Sequence, residues 1–173
     1  MTAISMTPRL QIDGAVLRPW ALTDAETLVT GWSDPDVAAW NSVPSTPTVA
    51  LATRWIAGVH DRAANRQSID WVIQSHDTNG VVGEVGLSGF SDAHRGALIG
   101  YWLLPAGRGH GSATAAVSAV TKWAHQTLSL DTIVARCNTS NTASQQVAAR
   151  AGYRHERSDP TGHQLWISRT RES

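Results

Sequence analysis

Three glycines stand within five positions of "GRGHGSATAA" (residues 107–116), and the segment runs on into small residues that suit a helix. Glycine admits positive φ and lets a ligand approach the backbone closely. The first N–H groups of a helix have no partner inside it, and the helix dipole adds partial positive charge there. A strand, a glycine-rich loop and a helix N-terminus in that order therefore make a cradle for phosphate. Arg108 is placed to add a charge-assisted hydrogen bond. No Gly-Lys-Ser/Thr follows, so this is not a Walker A loop. It is not the dinucleotide pattern G-x-G-x-x-G either, because Thr114 stands where the third glycine belongs. A glycine-rich turn that binds nothing is the alternative reading.

Other residues carry chemistry by type and setting. Glu84, in "VVGEVGLS", sits among apolar residues, where desolvation would raise its pKa and suit it to general-base work; the alternative is an outward-facing residue on a half-solvated strand. Asn141 and Ser144, in "NTAS", stand where ordinary capping residues open a helix. Cys137 closes a strand and reads as a buried thiol. The seven histidines show no close ligand spacing, so no metal site is expected. Eight Trp stand against one Phe. Trp32, Trp40 and Trp55 offer either an aromatic pocket or plain helix packing. Asp34, Asp36 and Glu84 are acids that a substrate ammonium would need. Asp92 and His94 fall in a turn and read as surface.

These residues need elements to hold them. "AVLRPW" (15–20) reads as a strand and 22–32 as a helix, with Thr23 or Asp24 as its N-cap and Glu26 near the third position. Residues 33–36 read as a turn, 43–48 as a loop and 47–64 as a helix weakened by Gly58. Strands follow at 68–75, 81–90 and 97–105, with Asn79-Gly80 in the first turn between them, so they form an antiparallel meander. Residues 112–126 place Ala113, Ala116, Val117, Val120 and Ala124 on one helical face. A strand at 131–137, a helix at 141–152 ended by Gly152, and two strands at 153–158 and 163–169 complete a mixed α/β order, β-α-α-β-β-β-α-β-α-β-β.

The chain has 173 residues, zero formal net charge and a pI near 7.1. That length fits one domain, 1–173. The charge balance gives no basic stripe for nucleic acid and no polybasic membrane patch. "MTAISMTPRL" shows no secretory pattern, and no apolar run spans a bilayer. The single cysteine precludes an internal disulfide, which fits a reducing, cytoplasmic setting.

"YWLLPAGRGHGSATAAV" resembles the acetyl-CoA-binding motif of the GNAT N-acetyltransferase superfamily, Arg/Gln-x-x-Gly-x-Gly/Ala, filled here by Arg108, Gly111 and Ala113. Together with "LRPW…SDPDV" and "IVARCNTSNTASQQVAARAGY", the likeness runs through nearly the whole chain. It is to the branch of ribosomal-protein N-terminal acetyltransferases, the RimJ/RimL type. The resemblance implies a GNAT fold, a largely antiparallel central sheet flanked by helices. It also implies direct transfer from acetyl-CoA to a primary amine, on a protein N-terminus or on a small molecule such as an aminoacyl nucleoside or antibiotic.

By the same resemblance, the amides of Gly109, His110, Gly111, Ser112 and Ala113, with Arg108, hold the pyrophosphate. A backbone N–H near Leu103 polarises the thioester carbonyl, and Leu103 and Leu104 contact the cofactor. Asn141 holds the pantetheine arm or caps its helix, Ser144 protonates the leaving thiolate, and Tyr153 packs. Trp32, Trp40 and Glu84 face the acceptor. Relatives often carry Glu two residues before "Gly-Tyr-Trp"; Leu98 stands there in this chain. Glu84, on the neighbouring strand, is the substitute base, and proton loss to water is the alternative. This departure also leaves open a GNAT-fold module that binds acyl-CoA without turnover. Monomer and homodimer both remain open.

Overall fold

Asp13-Gly14 closes a hairpin that the strand pattern alone did not call for. Gly14 takes φ +72°, and strand β1 (Leu10–Ile12) folds back antiparallel on β2 (Ala15–Pro19). Asp-Gly between two apolar segments is a strong two-residue turn signal. The computed structural model describes residues 6–170.

After β2 the chain makes a 3-10 turn (Leu22–Asp24) and then α1 (Ala25–Ser33). Asp24 does not cap α1 through its side chain. Its carboxylate accepts from the Ala21 N–H and pairs with Arg18, each at 2.8 Å. Residues 33–36, expected as a turn, instead start a second helix, α2 (Pro35–Trp40). Asp34 is its N-cap, accepting from the Val37 N–H at 3.0 Å, and Pro35 occupies the first turn, where its missing N–H is no loss. The helix expected over 47–64 is two helices, α3 (Val49–Ala57) and α4 (Val59–Ala64), broken at Gly58.

Strands β3 (Ser68–Ser75), β4 (Val81–Ser91) and β5 (Gly96–Leu103) form the expected meander. β5 stops two residues early, because Pro105–Gly107 is a 3-10 turn. There follow α5 (Ser112–Thr127), β6 (Thr132–Asn138), α6 (Thr142–Arg150), β7 (Arg154–Ser158) and β8 (His163–Arg169). The eight strands form one sheet, ordered β1-β2-β3-β4-β5-β6-β8-β7, in which β5 and β6 pair in parallel and the other neighbours antiparallel.

Each face of the sheet carries its own core. On one face α5, through Val117, and α6 cover Leu17, Trp71, Ile99 and Ile133, with Cys137 and Tyr153 buried among them. On the other, α1–α4 gather Trp20, Leu28, Ile56, Val72 and Trp102. The feature that positions the site lies between β5 and β6. Their pairing runs from Gly96↔Thr132 to Ile99↔Ala135 and stops, while β5 stays paired to β4 as far as Leu103. The two parallel strands therefore splay beyond Ile99. Among the described residues no helix is long and apolar enough to cross a membrane.

Candidate active site

The splay leaves backbone donors without strand partners. Leu104 donates its N–H to Val82 O on β4 at 2.8 Å. Alternation along the strand then turns the Leu103 and Tyr101 N–H groups the other way, into the gap. A cavity of about 450 Å³ occupies this side, lined by Leu103, Ala113, Asn141 and Ser144 together with Trp40 and Tyr101. Asn141 caps α6 by accepting from the Ser144 N–H at 3.1 Å, and it also lines the cavity. The Ser144 hydroxyl lies 2.9 Å from Tyr101 Oη and 3.2 Å from Cys137 Sγ. Tyr101 also donates to the Ser144 carbonyl at 2.8 Å. Tyr101 escaped sequence reasoning, although strand alternation puts it on the face of Ile99 and Leu103, toward α6. Burial pushes its phenol well above the ordinary range, so it stays protonated.

The glycine loop has the form expected of a cradle. Gly109 and Gly111 take φ +81° and +77°. A Cβ at either would meet nothing within 4 Å. The first internal hydrogen bond of α5 runs from Ala115 N to Gly111 O, which leaves the N–H groups of Ser112, Ala113 and Thr114 without helical partners. Two expected members of the loop are engaged elsewhere. The N–H of Leu104, expected beside the cofactor, is spent on Val82 O of β4. Arg108 points away from the cradle: its guanidinium pairs with Asp34 at 2.8 Å and Asp36 at 2.9 Å and donates to Leu103 O. A bidentate pull from two carboxylates outcompetes an open loop. Asp34 and Asp36 are thereby removed as receivers of a substrate ammonium. Burial works against the Asp34 charge, but the Val37 N–H and Arg108 outweigh it and hold its pKa below the usual carboxylate range.

Glu84 is neither outward-facing nor bare. Its two carboxylate oxygens accept from the indole N–H groups of Trp20 at 2.7 Å and Trp102 at 3.0 Å. It lines a second cavity, of about 560 Å³, with Trp32, Trp55, Trp102, Asn41 and Ser42. Burial raises its pKa and the nearby Asp70 charge raises it further; the two indoles and Arg62 pull it back, leaving it at about 8. Burial likewise raises Asp70, on the adjoining strand, against the opposing bond from Ser68 and the charge of Arg62. Sequence reasoning missed both partners, Trp20, which stands 64 residues from Glu84, and Trp102, 18 residues from it. Trp32 joins Glu84 as expected, whereas Trp40 is 46% exposed and lines the α6-side cavity. Asn41 was also missed. It borders both cavities, as does Trp102, so these two residues form the wall where the cavities meet.

Leu98 shares the sheet face of Glu84, because β4–β5 pairing sets Glu84↔Trp102, Gly86↔Gly100 and Ser88↔Leu98. The separation is four residues along the strand, about 13 Å at the usual rise. Glu84 therefore does not fill the position that Leu98 vacates; it presents a carboxylate nearer the mouth of the splay.

Gly31 of α1 packs directly on Trp102, where a Cβ would lie 2.5 Å from the ring. Gly31→Ala gains about 1 kcal/mol of helix propensity and incurs about 1–3 kcal/mol of overpacking. Overpacking wins, and it displaces the indole that holds Glu84. The expected result in thermal melts is a midpoint lowered by several degrees, together with reduced turnover; an unchanged or raised midpoint would count against this packing.

A model of the acetyltransferase (GNAT) domain matches residues 15–154. The chain is 27% identical over 151 residues to the uncharacterized N-acetyltransferase YoaA of Bacillus subtilis (strain 168), covering 87% of this chain and 85% of that one. Among solved structures, Mycobacterium smegmatis RimJ in complex with CoA-disulfide superposes with a TM-score of 0.81 at 22% identity, covering 94% of this chain and 86% of RimJ. The microcin C7 self-immunity acetyltransferase MccE, in complex with acetyl-CoA and AMP, superposes with a TM-score of 0.78 at 19% identity, covering 91% of this chain and 93% of MccE.

Proposed function

Because the chain belongs to the acetyltransferase (GNAT) domain family, we propose that it moves an acetyl group from acetyl-CoA directly to a primary amine, with Glu84 as base, Ser144 as acid and the Leu103 N–H as oxyanion donor. The observation that carries this reading is the join at Asn41 and Trp102 between a cavity bearing Ser144 and a cavity bearing Glu84. Each proton-handling group thus has its own chamber, and the chambers meet beside the splayed strand.

The residues present fit acetyl-CoA. The unpartnered N–H groups of 112–114 and the open approach at Gly109 and Gly111 suit a pyrophosphate. Asn141 and the cavity against α6 suit a thin pantetheine arm. Acetyl-CoA supplies the thioester carbonyl that is attacked and the thiolate that leaves. The Leu103 N–H faces the gap as a fixed donor for charge building on that oxygen. Glu84 takes one proton from the substrate ammonium. A second nitrogen proton is lost as the C–N bond forms and the C–S bond breaks; it ends on sulfur by way of the Ser144 hydroxyl, with Tyr101 holding that hydroxyl in place. The acceptor is an amine on a peptide N-terminus or a small molecule, and the lone buried thiol fits work in the reducing cytoplasm.

Ser144→Ala tests the acid. Its backbone N–H keeps the bond to Asn141, so CoA affinity should stay as it is while kcat falls about tenfold, less than the usual 10²–10⁴-fold of acid–base effects because a thiolate is a good leaving group. Equal kcat in variant and wild type, read by thiol release, would remove Ser144 from the chemistry.

A further inference from the structure

We infer that the Glu84 cavity takes its acceptor as a monocationic amine carried on a flat aromatic group, an arylalkylamine, in preference to a polypeptide N-terminus. The inference rests on the acetyltransferase reading and deepens it. The indoles of Trp20 and Trp102 have already spent their N–H groups on Glu84. What Trp102 still offers an occupant is ring surface, and Trp32 and Trp55 add their rings beside it. Trp32 and Trp55 meet edge to face, with centroids 6.3 Å apart, so one wall presents a face and the next an edge. That corner suits a planar ring by stacking and T-shaped contact, and indole faces attract a cation.

Charge sets the number of cations. Glu84 is the charged group that lines this cavity. Behind it, Asp70 lies against the backbone of Gly86, its oxygen 2.7 Å from where a Cβ of residue 86 would stand. Arg62 stacks on Trp55 at 4.3 Å from the ring centroid and donates to the Trp55 carbonyl. With Glu84 and Asp70 both ionised, the form in which Glu84 can collect a proton, two acids against one guanidinium leave a deficit of one positive charge, which a single ammonium fills. A peptide would bring several backbone N–H and C=O groups into a chamber whose neutral polar lining is Asn41 and Ser42. Most of those groups would go unpaired, which disfavours a peptide in this chamber.

The test compares acetylation of 2-phenylethylamine, n-butylamine and a tetrapeptide with a free N-terminal alanine, with CoA affinity measured in parallel by calorimetry. The expected result is a kcat/KM for 2-phenylethylamine at least tenfold above the other two. Trp32→Ala should erase that advantage while CoA affinity holds, with some loss of melting midpoint because Trp32 packs on the core of that face, and Trp32→Phe, which keeps a ring, should restore most of the advantage. A peptide preferred over the aryl amine, no benefit from the ring, an aryl amine left unacetylated by CoA-competent protein, or a Trp32→Ala variant that keeps the preference would each overturn the acceptor class alone. Failure of the wild type to bind CoA would overturn the acetyltransferase reading beneath it.

Discussion

Glu84→Gln is expected to lower kcat/KM about 10²–10³-fold, within the range of general-base contributions, with CoA affinity unchanged. The pH profile carries the sharper information. With a Glu84 pKa of about 8, the wild-type kcat/KM should rise with unit slope up to that pH and then level, since the ionised carboxylate collects the proton of the ammonium. The variant has no such collector. Its residual rate should keep climbing toward the pKa of the amine itself. A variant within threefold of wild type, or a wild-type profile flat from pH 6 to 9, would dismiss Glu84 as the base.

The same group leaves a mark on stability with a definite sign. Its pKa is raised on folding, from 4.5 to about 8, so the folded chain holds the proton more tightly than the unfolded one. The stabilising contribution is complete below pH 4.5 and is lost as pH rises toward 8. Gln makes no such titration. It also turns its NH₂ against one of the two indole donors, a mismatch of about 1–3 kcal/mol. The wild type should therefore melt above the variant at pH 5, and the gap should narrow or reverse by pH 9.

What the sequence made legible was what neighbouring residues decide. The meander, the glycine loop before α5, and the Asn141 cap and Gly152 stop of α6 all follow from local pattern. Local pattern also misled. Asp34-Pro35 reads as a turn pair, yet the same two residues are an N-cap and a first-turn proline, and the choice for helix depends on Val37 packing under α1. Asp13-Gly14 signalled a hairpin whose first strand is three residues long, too short for its alternation to show. Non-local pairing hid more of the site. Arg108 turns to Asp34, 74 residues upstream, a pairing that engages the guanidinium expected at the phosphate and that no spacing announces. Glu84 was singled out for its apolar setting, but the two indoles that hold it come from the residue just after β2 and from β5, and no spacing announces them. The splay that frees the Leu103 N–H is a failure of pairing between two strands and has no local signature.

Gly111→Val should weaken CoA binding by tenfold or more, and the structure sharpens what that loss would mean. Gly111 has φ +77°, a conformation that costs an L side chain about 1–2 kcal/mol, so some stability must go with it. The empty loop offers the new side chain no clash, since nothing lies within 4 Å of its Cβ. Any steric loss of affinity must then come from the ligand that approaches there. Gly152 supplies the matching control. It too has positive φ, +88°, and nothing within 4 Å of a Cβ, but it stands past the end of α6 opposite Asn141. Gly152→Val should cost a similar number of degrees in melting midpoint and leave CoA affinity alone. If both variants bind CoA as the wild type does, the loop is a turn and the phosphate cradle lies elsewhere. If both lose affinity alike, strain has spread through the fold and the cradle assignment loses its support. Only loss at Gly111 with retention at Gly152 ties the open backbone of the loop to the ligand, because the two changes share their strain and differ only in what comes near.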